Sequence, residues 1–115
     1  MKRLWIMVAG PYGSGSADEA ARAANLRAMN EAAHEVWKRG HVPVIGVNMA
    51  LPVIEAAGRD RYDAIMMPLS LALAERCDAV LRIGGPSNGA DREVELIRKK
   101  GGRVFASAEE IPLAY

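Results

Sequence analysis

Hydrophobic positions run without interruption over Leu4-Trp5-Ile6-Met7-Val8-Ala9 and stop at Gly10-Pro11. An unbroken apolar run of this kind suits a strand covered on both faces, as strands of parallel sheets are. Tyr12-Gly13-Ser14-Gly15 follow as a loop. Ser16, with Glu19 three residues on, predicts a capping box, and Leu26, Met29, Ala33 and Val36 recur at helical spacing up to Arg39, where Gly40 stops the helix. Val42, Val44 and Ile45 predict a second short strand within His41 to Val47. Asn48 to Gly58, interrupted by Pro52, has no decisive period. Ile65, Leu69, Ala72 and Leu73 predict a helix over Arg61 to Arg76, with Pro68 either starting its main part or kinking it. Ala79-Val80-Leu81 and Ile83 predict a third strand within Asp78 to Ile83, closed by Gly84-Gly85-Pro86. A last strong helix is expected from about Asn88 to Lys100, ended by Gly101-Gly102. Arg103 to Ala106 reads as a final strand, and Ala108-Glu109-Glu110 as a turn of helix.

The order β-α-β-α-β-α-β predicts an α/β fold, a doubly wound parallel sheet of four to five strands with helices on both faces, formed by residues 1–115 as one domain. In such sheets ligands bind beyond the carboxyl ends of the strands, where the strand order reverses. Two loops therefore become candidates: Gly10 to Ser16 after the first strand, and Gly84 to Glu93 after the third.

Composition narrows the function classes. Half of the 115 residues are hydrophobic and a quarter are charged, and 15 Lys and Arg stand against 14 Asp and Glu for a net charge of +1. A nucleic-acid partner is not expected, because phosphate neutralisation calls for a clear basic excess. One cysteine, Cys77, makes no intramolecular disulfide, and with two histidines it forms no set at metal-ligand spacing, so neither a metal nor a cofactor is expected. Met1-Lys2-Arg3 leads into too short an apolar run for a signal peptide, and no stretch approaches the roughly 20 apolar residues that span a bilayer. A soluble cytoplasmic protein without a membrane partner is the expectation. The methionines and Cys77 read as packing residues, and His34 and His41 as structural or solvated ones.

Gly10, Pro11, Tyr12 and Gly13 offer bare backbone for close ligand approach, next to the exposed N–H groups of the following helix. The spacing is neither a Walker loop nor a dinucleotide fingerprint. Tyr12 can wall a pocket. Glu93 is the sharper signal. On a helical wheel started at Ala90, the apolar Ala90, Val94, Leu96 and Ile97 span one arc, and Glu93 falls inside it at about 300°, using 100° per residue. Its place near the start of the helix predicts a carboxylate held ionised by the dipole. An ionised, partly desolvated carboxylate beside a glycine-rich loop is what a covalent glycosyl acceptor requires.

Gly10-Pro11-Tyr12, Gly40-His41-x-Pro43, Cys77-Asp78-Ala79-Val80 and Ser87-x-Gly89-Ala90-x-x-Glu93, followed by Gly102-x-Val104, together resemble the nucleoside 2-deoxyribosyltransferase superfamily, and within it a branch of small bacterial proteins. The resemblance covers nearly the whole chain. It implies a flavodoxin-like sheet of strand order 2-1-3-4, in a homo-oligomer, dimer or tetramer, whose active sites border the subunit interface. It implies Glu93 as nucleophile, Gly10 and Tyr12 in the sugar pocket, Ser87 where nucleotide hydrolases of the group bind phosphate, and Gly89 and Ala90 as backbone donors to the same ligand. A 5′-monophosphate is then favoured over a free nucleoside. Relatives carry an acid eight residues before the position of Asp78; this chain has Ser70 there, and Asp60 or Asp63 are the acids that could stand in.

The expected activity is cleavage or transfer at the N-glycosidic bond of a (deoxy)nucleoside or its 5′-monophosphate through a glycosyl-Glu93 intermediate. The alternative is a non-catalytic nucleotide or nucleotide-sugar binding module on the same fold, which Ser70 favours. Gly84-Gly85 with Gly89-x-x-x-Glu93 also bears a looser likeness to the phosphoribohydrolase motif Gly-Gly-x-Gly-Thr-x-x-Glu.

Overall fold

A computed structural model of the chain describes residues 2–13 and 17–114. Among these, four strands form one sheet: β1 (Trp5–Ala9), β2 (Val42–Val44), β3 (Ala79–Arg82) and β4 (Arg103–Phe105), all parallel in the order β2-β1-β3-β4. No fifth strand is present among the described residues. β1 sits centrally, with Ile6 opposite Pro43 on one side and Ala79 on the other. Ile6 to Ala9 are buried, which is why that run is apolar without alternation.

Helices cover both faces, and residue parity along the strands assigns each face its helices. Ile6 and Val8 of β1, Ala79 and Leu81 of β3, and Phe105 of β4 pack with Met29 and Val36 of α1 (Glu19–Lys38). Met7, Ala9 and Val80 point the other way, onto Ala90, Val94 and Ile97 of α4 (Asn88–Lys99) and Ala74 of α3 (Tyr62–Ala74). A further helix, α2 (Gly46–Ala57), packs Ala50 and Ile54 against Met66 of α3. No helix among the described residues is long and apolar enough to cross a membrane.

Three local expectations are corrected. The second strand ends at Val44, and Gly46 and Val47 already belong to α2. The run Val44-Ile45-Gly46-Val47 is apolar whether extended or helical, and the choice comes from α3, whose Ser70 lies so close that a Cβ at position 46 would stand 2.8 Å from the Ser70 Cβ. Of the two expectations for Pro68, that it starts the main part of α3 is the one overturned: like Pro52 in α2 it lies inside the helix, facing solvent. The N-cap of α1 is Asp18, whose Oδ1 accepts from the Ala21 N–H at 2.8 Å. Ser16, proposed for that role, lies outside the described residues.

The end of the sheet opposite the candidate loops is tied by side chains. Gly40, at φ 91°, turns the chain out of α1. Next to it the buried His41 accepts the Leu4 N–H on Nδ1 at 2.9 Å, which makes the neutral ring an Nε2–H donor to the Pro112 carbonyl, 2.6 Å away. Arg39 Nη1 donates to the Ile111 carbonyl, and the Ala114 N–H donates to the Arg39 carbonyl. The C-terminal segment is thereby strapped across the end of α1 with Ile111 in the core.

Candidate functional site

The strand order reverses between β1 and β3, and the two glycine-containing loops meet there. A Cβ on Gly10 would stand 2.9 Å from Ile83 Cγ1, and Gly84, at φ +75°, would with a Cβ stand 2.7 Å from Pro11 Cδ. Only glycine fits both positions, the second also because its backbone conformation disfavours a side chain. Between these loops and the α2–α3 pair lies a cleft of about 220 Å³.

Glu93 forms part of its floor. The buried positions of α4 are Ala90, Glu93, Val94 and Ile97, so the acid shares the apolar face as the wheel places it. Glu93 is 8% exposed, and among the described residues its carboxyl has no hydrogen-bond or ion-pair partner. No described side-chain oxygen or nitrogen is sealed from solvent without a partner, so the carboxyl keeps its access through the cleft. Its ionisation departs from expectation. Glu93 is the sixth residue of α4, beyond the first turn where the dipole acts, and burial raises its pKa from the ordinary 4.5 to about 7, with the positive charge of Arg82 working the other way. At neutral pH the group is near its titration midpoint, not held ionised.

Ser87 caps α4. Its Oγ accepts from the Ala90 N–H at 3.1 Å, and its hydroxyl hydrogen is left to donate into the cleft. Gly89 and Ala90 line the same wall, with the first-turn N–H groups of α4 behind them. Facing them are Tyr12 and Gly13 from the first loop. Asn25 of α1 donates from Nδ2 to the Tyr12 carbonyl at 2.8 Å and so fixes that loop.

The α3 wall brings residues that sequence reasoning passed over. Tyr62 stands across from Tyr12, with its hydroxyl 3.5 Å from where a Gly13 Cβ would be. Partial burial raises the Tyr62 pKa, with the neighbouring Tyr12 and Asp63 adding to the effect and Arg22 opposing it, so the phenol keeps its proton at neutral pH. Met66, Met67 and the buried Ser70 complete this side, and Met67 Sδ lies against Gly89. Arg82 was also missed. It pins the second loop, donating from Nη2 to the Gly85 carbonyl at 2.9 Å, from Nη1 to the Ile83 carbonyl, and from Nε to Asp91 Oδ1 at 3.2 Å. A signal for Tyr62 existed in its adjacency to Asp63 at the start of an apolar helix. For Arg82 the signal was a lone cation closing an apolar strand.

Of the two acids suggested to stand in at the cleft, Asp63 lines it and Asp60 does not. Asp60 lies in a short 3-10 turn, Arg59–Arg61, with its carboxylate turned towards Gly58. Pro11 is likewise not in the lining: its ring packs on Gly84, so it shapes the loop from behind. Among the described residues no three His, Cys, Asp or Glu side chains converge as metal ligands would. Cys77 is buried, and burial pushes its thiol up to about 11, which leaves it protonated and unreactive at neutral pH.

No family model matches the chain, and a search of curated proteins finds no relative.

Proposed function

We propose that the protein cleaves or transfers the N-glycosidic bond of a (deoxy)nucleoside or its 5′-monophosphate, with Glu93 as nucleophile. One observation carries this reading: a single buried carboxyl, unpartnered among the described residues, opens into a cleft at the strand-order reversal, between two glycine-containing loops and the N-terminus of α4. The resemblance to the nucleoside 2-deoxyribosyltransferase superfamily supports the same assignment.

In the first step a Glu93 carboxylate oxygen bonds to C1′ as the C1′–N bond breaks, and the bonding electrons leave with the base, which takes up a proton. Water or a second base then attacks C1′ and releases the carboxylate. Desolvation strengthens the attraction between Glu93 and the positive charge that develops on the sugar. Tyr12 and Tyr62 offer ring faces and hydroxyls to the ligand, and Asp63 is the supporting acid on hand. A 5′-phosphate, where present, would sit on the Ser87 hydroxyl and the first N–H groups of α4, roughly 6 to 9 Å along the helix from Glu93 at 1.5 Å per residue.

The test is base release, followed by chromatography over nucleosides and 5′-monophosphates with and without an acceptor base, beside Glu93→Ala. Release by the parent and not by the variant supports the reading, and kcat should rise with pH through about 7, as the nucleophile loses its proton. A kcat that falls through that range would make Glu93 a proton donor instead. A second reading has its own observation: at the α3 position where the resemblance implies an acid, the cleft is lined by Ser70. If no substrate turns over while a nucleotide still raises Tm, the protein is a nucleotide-binding module. The homo-oligomer implied by the resemblance belongs to this proposal, and sedimentation equilibrium tests it.

A further inference from the structure

Among the described residues two acids line the cleft, Glu93 and Asp63, and no Lys or Arg does. The nearest cations stand outside it. Arg22, in the first turn of α1, is exposed beside Gly13, with Nε 4.0 Å from where a Gly13 Cβ would be, and it donates from Nε and Nη2 to the Ala17 carbonyl at 3.2 and 3.0 Å. Arg82 is held by the Ile83 and Gly85 carbonyls and by Asp91. Arg22 is screened by water, whereas Tyr12 and Tyr62 bring two phenol rings into the lining, and the faces of such rings attract cations.

The inner wall has no carboxylic proton donor besides Glu93 itself. Met67 of α3 lies against Gly89, and Ala74 shares an apolar cluster with Ala90 and Val94, so the face of α3 between them, which carries Ser70, looks towards the stretch of α4 that carries Glu93. Ser70 is 2% exposed, its hydroxyl has no partner among the described residues, and like the Glu93 carboxyl it opens into the cleft. Two buried, unpartnered polar side chains thus point into one cleft, and of these the alcohol does not protonate a departing base. Asp63, roughly 10 Å from Ser70 along α3 at 1.5 Å per residue, is exposed at the mouth.

We propose that the substrates this cleft fits are N-glycosides of a quaternary, positively charged nitrogen heterocycle, namely pyridinium nucleosides and their 5′-monophosphates. This rests on the glycosidic reading with Glu93 as nucleophile and narrows it. A Glu93 carboxylate oxygen bonds to C1′ as the C1′–N bond breaks, and the electron pair of that bond returns to the ring nitrogen, which leaves as part of a neutral pyridine. The leaving group takes up no proton, so a serine at position 70 does not hinder it. Water then attacks C1′, releasing the carboxylate and one proton to solvent. Asp63 and the phenol faces meet the cationic ring, while Ser87 and the first N–H groups of α4 suit an anionic phosphate, so the polarity of the cleft matches that of a zwitterionic nucleotide.

The experiment compares base release by the full chain from 3-carbamoylpyridinium riboside, its 5′-monophosphate, and neutral purine and pyrimidine nucleosides and 5′-monophosphates, each corrected for its loss in buffer alone. The pyridinium compounds should be cleaved with kcat/KM about a hundredfold above the neutral ones, the lower end of what a proton donor supplies. Ser70→Asp sets an acid on the inner wall and should narrow that ratio by about tenfold, through faster release from the neutral compounds. Position 70 is crowded by Gly46, and should that variant not fold, Asp63→Asn at the exposed mouth gives a second reading. It should raise KM for the pyridinium compounds by about two- to fivefold more than for the neutral ones, the worth of a partly exposed ion pair. Neutral nucleosides cleaved as well as the pyridinium compounds would overturn the proposal and leave the glycosidic reading standing. No release from any compound would end both.

Discussion

The Asn25 side-chain amide and the Tyr12 carbonyl are joined by a 2.8 Å hydrogen bond between the second turn of α1 and the loop that follows β1. The helix thus acts on the cleft without lining it. Asn25→Ala should cost about 1 kcal/mol, the usual worth of one such bond. If the bond holds Tyr12 in place, the same variant should weaken ligand binding several-fold while kcat changes less. Urea unfolding and a thermal-shift titration measure the two effects.

Glu93 costs stability for as long as it is ionised. Its folded-state pKa, about 7, lies above the ordinary 4.5, so between those values the folded protein binds more protons than the unfolded one and stability falls as pH rises. The full penalty, roughly 3 kcal/mol, is present above pH 7 and absent below about 4.5. Glu93→Gln should accordingly be more stable than the parent in mildly alkaline buffer and close to it in acid, as denaturant midpoints at the two pH values would reveal. Equal midpoints at both would mean that Glu93 is solvated.

Ser87 has two tasks that substitutions can separate. Ser87→Ala removes the cap on the Ala90 N–H and should destabilise by about 1 kcal/mol. Ser87→Asp keeps a capping oxygen and should restore stability, yet it sets a negative charge where a 5′-phosphate would lie. A nucleoside 5′-monophosphate should then lose affinity by tenfold or more and the parent nucleoside far less, which calorimetric titration of both ligands would detect.

Gly46 allows α2 and α3 to approach. A Cβ there would press on the hydroxyl and Cβ of Ser70, so Gly46→Ala should cost about 1–3 kcal/mol through overpacking. Ser70→Gly should recover much of the loss in the double variant, because it removes both atoms that collide. A strictly additive pair, measured by chemical denaturation, would show that the helices separate easily.

Much of this arrangement was legible in the chain. The runs at Leu4 to Ala9 and Asp78 to Ile83 had to be strands covered on both faces, and Glu93 announced itself by breaking the pattern of its own helix. α2 was not legible, because an apolar segment that packs on another apolar helix carries no contrast between faces, and Pro52 argued against a helix that tolerates it on its solvent side. Tyr62, Arg82 and the role of Asn25 depend on which elements become neighbours, which no local period encodes. The ionisation of Glu93 was misjudged for a related reason. Position along a helix predicts a dipole effect of a few tenths to 1 kcal/mol, whereas the depth of burial that outweighs it is set by α3 and the sheet.

The strap formed by Ile111, Pro112 and Ala114 ends beside Arg39, where α1 finishes, and so at the far edge of the sheet from the cleft. A linker attached at the exposed Leu113 would leave the molecule on that far side. Fixed to a bead or sensor chip through such a tether, the protein would turn its cleft towards the flowing solution, so small molecules could be screened on the immobilised form without the support crowding Tyr12 or Glu93.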